Sequence, residues 1–195
     1  MQKKHWKLKA CKQTAKCIKR IYFILLIIIT GQVAFNFAKA QGNTFPVPAG
    51  NTKQLFFLQR TPNTNTIVCE LKYKDGIVDK ADPIHVFWIR YQEKGQKEDL
   101  SFIQRKFAYG VKAKEIGTNK YELNFVSYKK YKMFLMLGAD NEYHVYTSIN
   151  QKQVIFNRIY IVIKGGTFWS PKVEYVELTG IDPASRMVVK ERLKI

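Results

Sequence analysis

Residues 153–164 read Gln-Val-Ile-Phe-Asn-Arg-Ile-Tyr-Ile-Val-Ile-Lys, and residues 84–91 read Ile-His-Val-Phe-Trp-Ile-Arg-Tyr. β-Branched and aromatic side chains dominate both runs, and turn formers bound them, Gly165-Gly166 after the first and Asp82-Pro83 before the second. Such runs are strands. The same period-two pattern recurs outward at 53–60, 65–73, 119–128, 131–137, 142–149, 172–179 and 186–193. Asp75-Gly76, Gly117-Thr118-Asn119, Gly138-Ala139-Asp140-Asn141 and Asp182-Pro183 separate these segments through residues that accept positive φ or fix it. The pattern predicts a mainly β fold, a single antiparallel β-barrel or β-sandwich domain.

One segment departs from it. Leu100, Ile103 and Phe107 recur at i, i+3 and i+7, with Asp99 placed to cap the start and Gly110 to end the turn, which predicts one short helix. Phe107, Tyr109, Val111 and Ala113 also alternate, so a competing reading stops the helix near Lys106 and continues as a strand.

The chain has 195 residues, 46% of them hydrophobic, and 33 basic against 15 acidic side chains, a net charge of +18. That apolar share excludes a disordered polycation. Nine of the basic residues and none of the acids fall in residues 1–40, leaving 24 against 15, or +9, for residues 41–195. Within the basic segment, Ile21–Thr30 is an uninterrupted apolar run followed by Ala38-Lys39-Ala40. A basic stretch, a short apolar run and a small-x-small site describe a secretory signal peptide. The competing reading extends the run through residues 21–37 into an uncleaved signal anchor that touches the membrane. Either way the basic N-terminus stays in the cytoplasm and the body is exported, to a periplasmic or other extracytoplasmic location. The expected division is 1–40 as signal or anchor helix, 41–52 as linker and 53–195 as the β domain.

The familiar catalytic signatures, Gly-x-Ser-x-Gly, His-Glu-x-x-His, the P-loop and paired Cys-x-x-Cys, are absent. Neither a catalytic residue nor a metal or cofactor is assigned. Cys69 alternates with Ile67 and Leu71 and reads as a small buried apolar residue. His85, inside an apolar strand, reads as a hydrogen-bonded, partly buried imidazole. Asp140, Glu142 and His144 alternate and form the best metal-like constellation, although the Gly138–Asn141 turn signal explains Asp140 without a ligand.

Arginines inside apolar strands are more informative, because residues 41–195 hold 18 lysines and six arginines. Arg90 and Arg158 interrupt such strands, and Arg105 follows Gln104 on the candidate helix. The preferred explanation is an internal ion pair with Glu70, Glu122 or Glu177, and the alternative is a pocket that holds an anion bidentately. The wall of such a pocket is assigned to Trp88, Arg90, Tyr91, Gln104, Arg105, Tyr109, Arg158 and Trp169. Tyr128-Lys129-Lys130-Tyr131-Lys132 interleaves rings with cations, as single-stranded nucleic-acid grooves do, but a solvated hairpin connection explains it equally well. Export makes nucleic acid a poor partner and favours acidic envelope polymers or lipid headgroups.

Leu55-Phe-Phe-Leu-Gln-Arg60, Asn65-Thr-Ile-Val68, Pro83 with Trp88-Ile-Arg-Tyr91, Leu100 with Ile103-Gln-Arg-Lys-Phe-Ala-Tyr-Gly110, Val126-Ser-Tyr-Lys129 and Gly165-Gly-Thr-Phe-Trp169 occur in this order. Together they resemble a family of uncharacterised bacterial proteins, domain of unknown function 4833, over about residues 53–193. The resemblance implies a single exported domain and no activity. Two functional readings follow: an exported or envelope-associated β domain that binds a small amphipathic or anionic ligand, or an envelope hydrolase or transferase that uses His144 with nearby carboxylates.

Overall fold

The computed structural model describes residues 45–167 and 170–194. The predicted signal or anchor segment, and Trp169 of the predicted pocket wall, lie outside the described residues. Phe45–Ile195 form one compact unit.

Among the described residues, thirteen strands and one short helix follow in order: β1 Gln54–Arg60, β2 Thr66–Leu71, β3 Tyr73–Lys74, β4 Ile77–Val78, β5 Ile84–Ile89, β6 Lys97–Asp99, α1 Phe102–Phe107, β7 Val111–Gly117, β8 Lys120–Phe125, β9 Met133–Leu137, β10 Tyr143–Ile149, β11 Lys152–Gly166, β12 Pro171–Ile181 and β13 Val188–Lys194. β3 and β4 form a separate hairpin around Asp75-Gly76, both at positive φ, as a tight two-residue turn requires. The other eleven strands form one sheet, ordered β6-β5-β2-β1-β11-β10-β9-β8-β7, with β12 on β11 and β13 on β12. The fold is mainly β, a curled half-barrel with one short helix.

The curl comes from β11. Its first residues pair with β10, up to Ile155 opposite Tyr146, and its later residues Arg158–Ile161 pair with β1. Between them the register against β12 slips at Phe156/Arg158. An irregularity of this kind bends a strand and lets it pass from one layer to another. One wing, β6-β5-β2-β1, thus folds over the other, β10-β9-β8-β7. The β1–β11 pairing is parallel in an otherwise antiparallel sheet.

Between the wings lies the core. Phe56, Tyr121, Leu123, Met133, Leu135, Val145, Ile149, Val154 and Phe156 are buried from both sides. Phe56 meets Phe156 at 5.2 Å and Phe125 edge-on at 6.0 Å between ring centres. Side chains therefore fill the space between the layers. The outer face of the first wing carries a smaller cluster of Phe57, Val68 and Phe87. Part of the expected linker covers the outer side: Phe45 packs edge-on against Tyr160 at 5.1 Å, and the Pro46 carbonyl accepts from Gln59 Nε2 at 2.7 Å. Gln59 is fully buried, so its amide needs that partner, which docks the chain from residue 45 onward.

One expectation for the helix is corrected. Ser101, not Asp99, caps α1, because Asp99 is occupied as the last residue of β6 and accepts from His85 Nε2 at 2.8 Å. Only Leu100 of the three periodic residues is buried, since a six-residue helix is too short to present a continuous inward stripe; Ile103 and Phe107 are exposed. The passage into a strand is observed as β7. Among the described residues no helix is long and apolar enough to cross a membrane.

Candidate functional site

Three of the predicted wall residues meet. Trp88 on β5 donates from Nε1 to Gln104 Oε1 at 3.4 Å, and its ring stands edge-on to Tyr109 at 5.3 Å. Gln104 is held because its amide closes the capping box of α1, accepting from the Ser101 N–H at 3.0 Å while Ser101 Oγ accepts from the Gln104 N–H at 3.3 Å. Arg60, at the end of β1, lays its guanidinium over the Tyr109 ring at 5.8 Å. Its Nε is buried without a hydrogen-bond partner. Burial pushes the Tyr109 hydroxyl above its ordinary pKa, against the pull of the Arg60 cation.

The other predicted wall residues are elsewhere. Arg90 donates from Nε and Nη2 to Glu93 Oε1 at 3.0 and 2.6 Å and lies 3.4 Å from Glu98. Arg90 thus pairs with exposed local acids, Glu93 in the β5–β6 connection and Glu98 on β6, and not in the expected internal pair with Glu70, Glu122 or Glu177. Tyr91 is half-buried in that same connection. Arg158 points to the outer face, because Ile159 is its inward neighbour, and stacks over Tyr160 at 4.8 Å. It makes no ion pair among the described residues.

Arg105 opens the site the geometry favours. At the C-terminal end of α1 the chain turns into β7 through Gly110, where an added Cβ would strike the Arg105 carbonyl oxygen and lie 3.3 Å from Val126 Cγ1. Beside that close approach lies a solvent-open cleft of about 340 Å³ lined by Arg105, Lys106, Phe107, Lys112, Val126 and Lys129, together with Gly110 and Val111. Four cations and no acid line it. None of the four makes an ion pair among the described residues, which is true of most cations in this basic domain; Lys72, Arg90, Lys132, Lys164 and Arg192 are the ones paired with carboxylates there. Sequence reasoning named Arg105 and missed Lys106, Lys112 and Lys129. Lys129 lay within the basic stretch read as a hairpin connection, and no local signal linked that stretch to α1.

The Asp140, Glu142 and His144 constellation also closes up, with one ligand atom from each within 4.8 Å of the others. His144 Nε2 lies 2.7 Å from Asp140 Oδ2, and Asp140 Oδ1 accepts from the Glu142 N–H at 3.1 Å. These bonds to His144 and the Glu142 amide hold the Asp140 carboxyl below the usual carboxylate range. Gly138 permits the arrangement, since a Cβ there would lie 2.6 Å from Asp140 Oδ1. Such a pair can orient an imidazole, but Asp140 is exposed in a turn and its Oδ1 is already used by the turn itself. His85 is held as expected, between Glu70 at 3.3 Å and Asp99 at 2.8 Å. Cys69 is buried, and desolvation pushes its thiol far above the range of a nucleophile.

Fold and site together define a mainly β domain with an open cationic cleft beside its one short helix. The chain belongs to the family described as domain of unknown function DUF4833, whose model matches residues 56–192. No curated protein and no solved structure matches it.

Proposed function

We propose that the protein is an exported, envelope-associated β domain that binds an anionic group, phosphate or carboxylate, in the cleft between α1 and β7. One observation carries the reading: Arg105, Lys106, Lys112 and Lys129 line one cleft that no carboxylate residue lines. Like charges held together are mutually unfavourable, and an anion that bridges them relieves the repulsion and gains charge-assisted hydrogen bonds. The site is open, so screening by water keeps a single small anion weak, and a ligand with several charges binds better. Export follows from the basic, then apolar leader, and a periplasmic or other extracytoplasmic location explains a preference for envelope components over nucleic acid.

Inorganic pyrophosphate titrated into the labelled domain is expected to shift the backbone resonances of Gly110, Lys112 and Lys129 in the millimolar range. Lys112→Glu with Lys129→Glu is expected to abolish those shifts. Shifts spread evenly over the surface, or untouched by the double variant, would contradict the cleft. A reporter fused to the C-terminus and active only in the cytosol would contradict the export.

A second reading, a hydrolase centred on His144, is favoured by the 2.7 Å pair with Asp140. His144→Gln leaving any hydrolytic activity of the purified protein unchanged would remove it.

A further inference from the structure

The helix beside the cleft has no place in the core. None of the six residues of α1 is buried, and its large apolar side chains face water: Phe102 is 72% exposed, Ile103 53% and Phe107 59%. Exposure on this scale within one short element marks a contact surface rather than scattered apolar residues. Lys106 ties the patch to the cleft, with its Nζ 5.3 Å from the centre of the Phe102 ring and 5.4 Å from that of Phe107. Phe107 itself lines the cleft with the four cations. Three apolar side chains thus project from a rim of unpaired positive charge.

We propose that α1 is a membrane-contacting element: Phe102, Ile103 and Phe107 enter the interfacial layer of an anionic phospholipid surface, and Arg105, Lys106, Lys112 and Lys129 take the lipid phosphates. The proposal rests on the anion-binding reading and names its ligand class. Lipid is the occupant the charges favour. A membrane interface offers apolar depth beside a dense layer of phosphate, as these rings stand beside the Lys106 cation. A second copy of the chain docking through the same patch would set four cations against four, without an acid in either cleft to pair them. Lysine and arginine stems lying along apolar surface with their heads among phosphates are the ordinary arrangement at such an interface.

The compact unit from Phe45 encloses its own buried core, so residues 41–195 are tested as a free domain. Sedimentation with vesicles is compared between phosphatidylcholine alone and phosphatidylcholine mixed with phosphatidylglycerol. The domain is expected to sediment with the mixed vesicles and to be released by salt. Phe102→Ser with Ile103→Ser is expected to weaken vesicle binding by roughly tenfold or more, given the apolar area of the two side chains. Its melting temperature and its pyrophosphate shifts are expected to stay unchanged, since neither side chain is in the core or lines the cleft. Lys112→Glu with Lys129→Glu is expected to lose both vesicles and pyrophosphate. Equal vesicle binding by the Phe102/Ile103 variant would overturn the membrane proposal and leave the anion cleft standing, as would failure of the unaltered domain to bind mixed vesicles. A concentration-dependent dimer abolished by that variant would overturn it in favour of self-association. Absence of pyrophosphate shifts in the unaltered domain would count against the cleft itself.

Discussion

Gly180 sits where β12 crosses the start of β11, and a methyl group there would strike Val154 Cγ2 and lie 3.0 Å from the Ile155 carbonyl oxygen. Val154 is fully buried and has no room to give. Gly180→Ala is expected to cost about 1–3 kcal/mol, read as a lower urea midpoint with an unchanged slope; an unchanged midpoint would contradict the close packing of the two strands. Asp140 offers a pH test. Its carboxyl is held down first by the hydrogen bond from His144 and then by the Glu142 amide. A depressed folded value means that the interaction is present above the unfolded pKa and is lost as pH falls through the folded one. Carbonyl-carbon NMR is expected to place the Asp140 midpoint below the ordinary carboxylate range and to find it raised in His144→Gln. Single residues of this kind were partly legible. Cys69 and His85 took the environments their strand neighbours dictated, but Arg60 was not marked as a site residue, because its partner Tyr109 lies 49 positions away and across two wings.

At the scale of elements, strands with strong apolar alternation were legible and weak ones were not. β6 is Lys97-Glu98-Asp99, without an apolar residue, and only its pairing with β5 makes it a strand. The helix was legible as an element, but what its apolar side chains meet was not, because periodicity marks which side chains are apolar and nothing more. The Ser101-x-x-Gln104 signature that caps it stands in the sequence two residues beyond the Asp99 that was assigned the role. Gln104 serves the cap and Trp88 at once. Gln104→Ala is therefore expected to speed amide exchange across Phe102–Phe107 by about fivefold, in line with loss of roughly 1 kcal/mol of capping, with little change in the global melt. Exchange unchanged at α1 would show that the helix is held by something other than its cap.

For the whole molecule, length and alternation anticipated a mainly β domain but not how it closes. Closure depends on β11 exchanging β10 for β1 along its length, and on a parallel pairing between segments about a hundred residues apart. No local pattern encodes either. The same holds for the cleft, whose cations come from α1, β7 and the loop after β8 and meet only once the wings have folded. Phe156, at the centre, packs against Phe56 and Tyr131. Phe156→Ala is expected to cost about 3–5 kcal/mol in a thermal or urea melt and, where the domain still folds, to leave anion binding intact; selective loss of binding with stability unchanged would mean that the core and the cleft had been misplaced.

The central claim is that position, rather than the general positive charge of the domain, creates an anion site. Two double variants of equal net charge decide it, Lys112→Glu with Lys129→Glu in the cleft and Lys74→Glu with Lys194→Glu away from it, each titrated with inorganic pyrophosphate by NMR. The account predicts that the first pair abolishes the shifts at Gly110 and its neighbours while the second leaves them in place. Equal losses in the two pairs would contradict it.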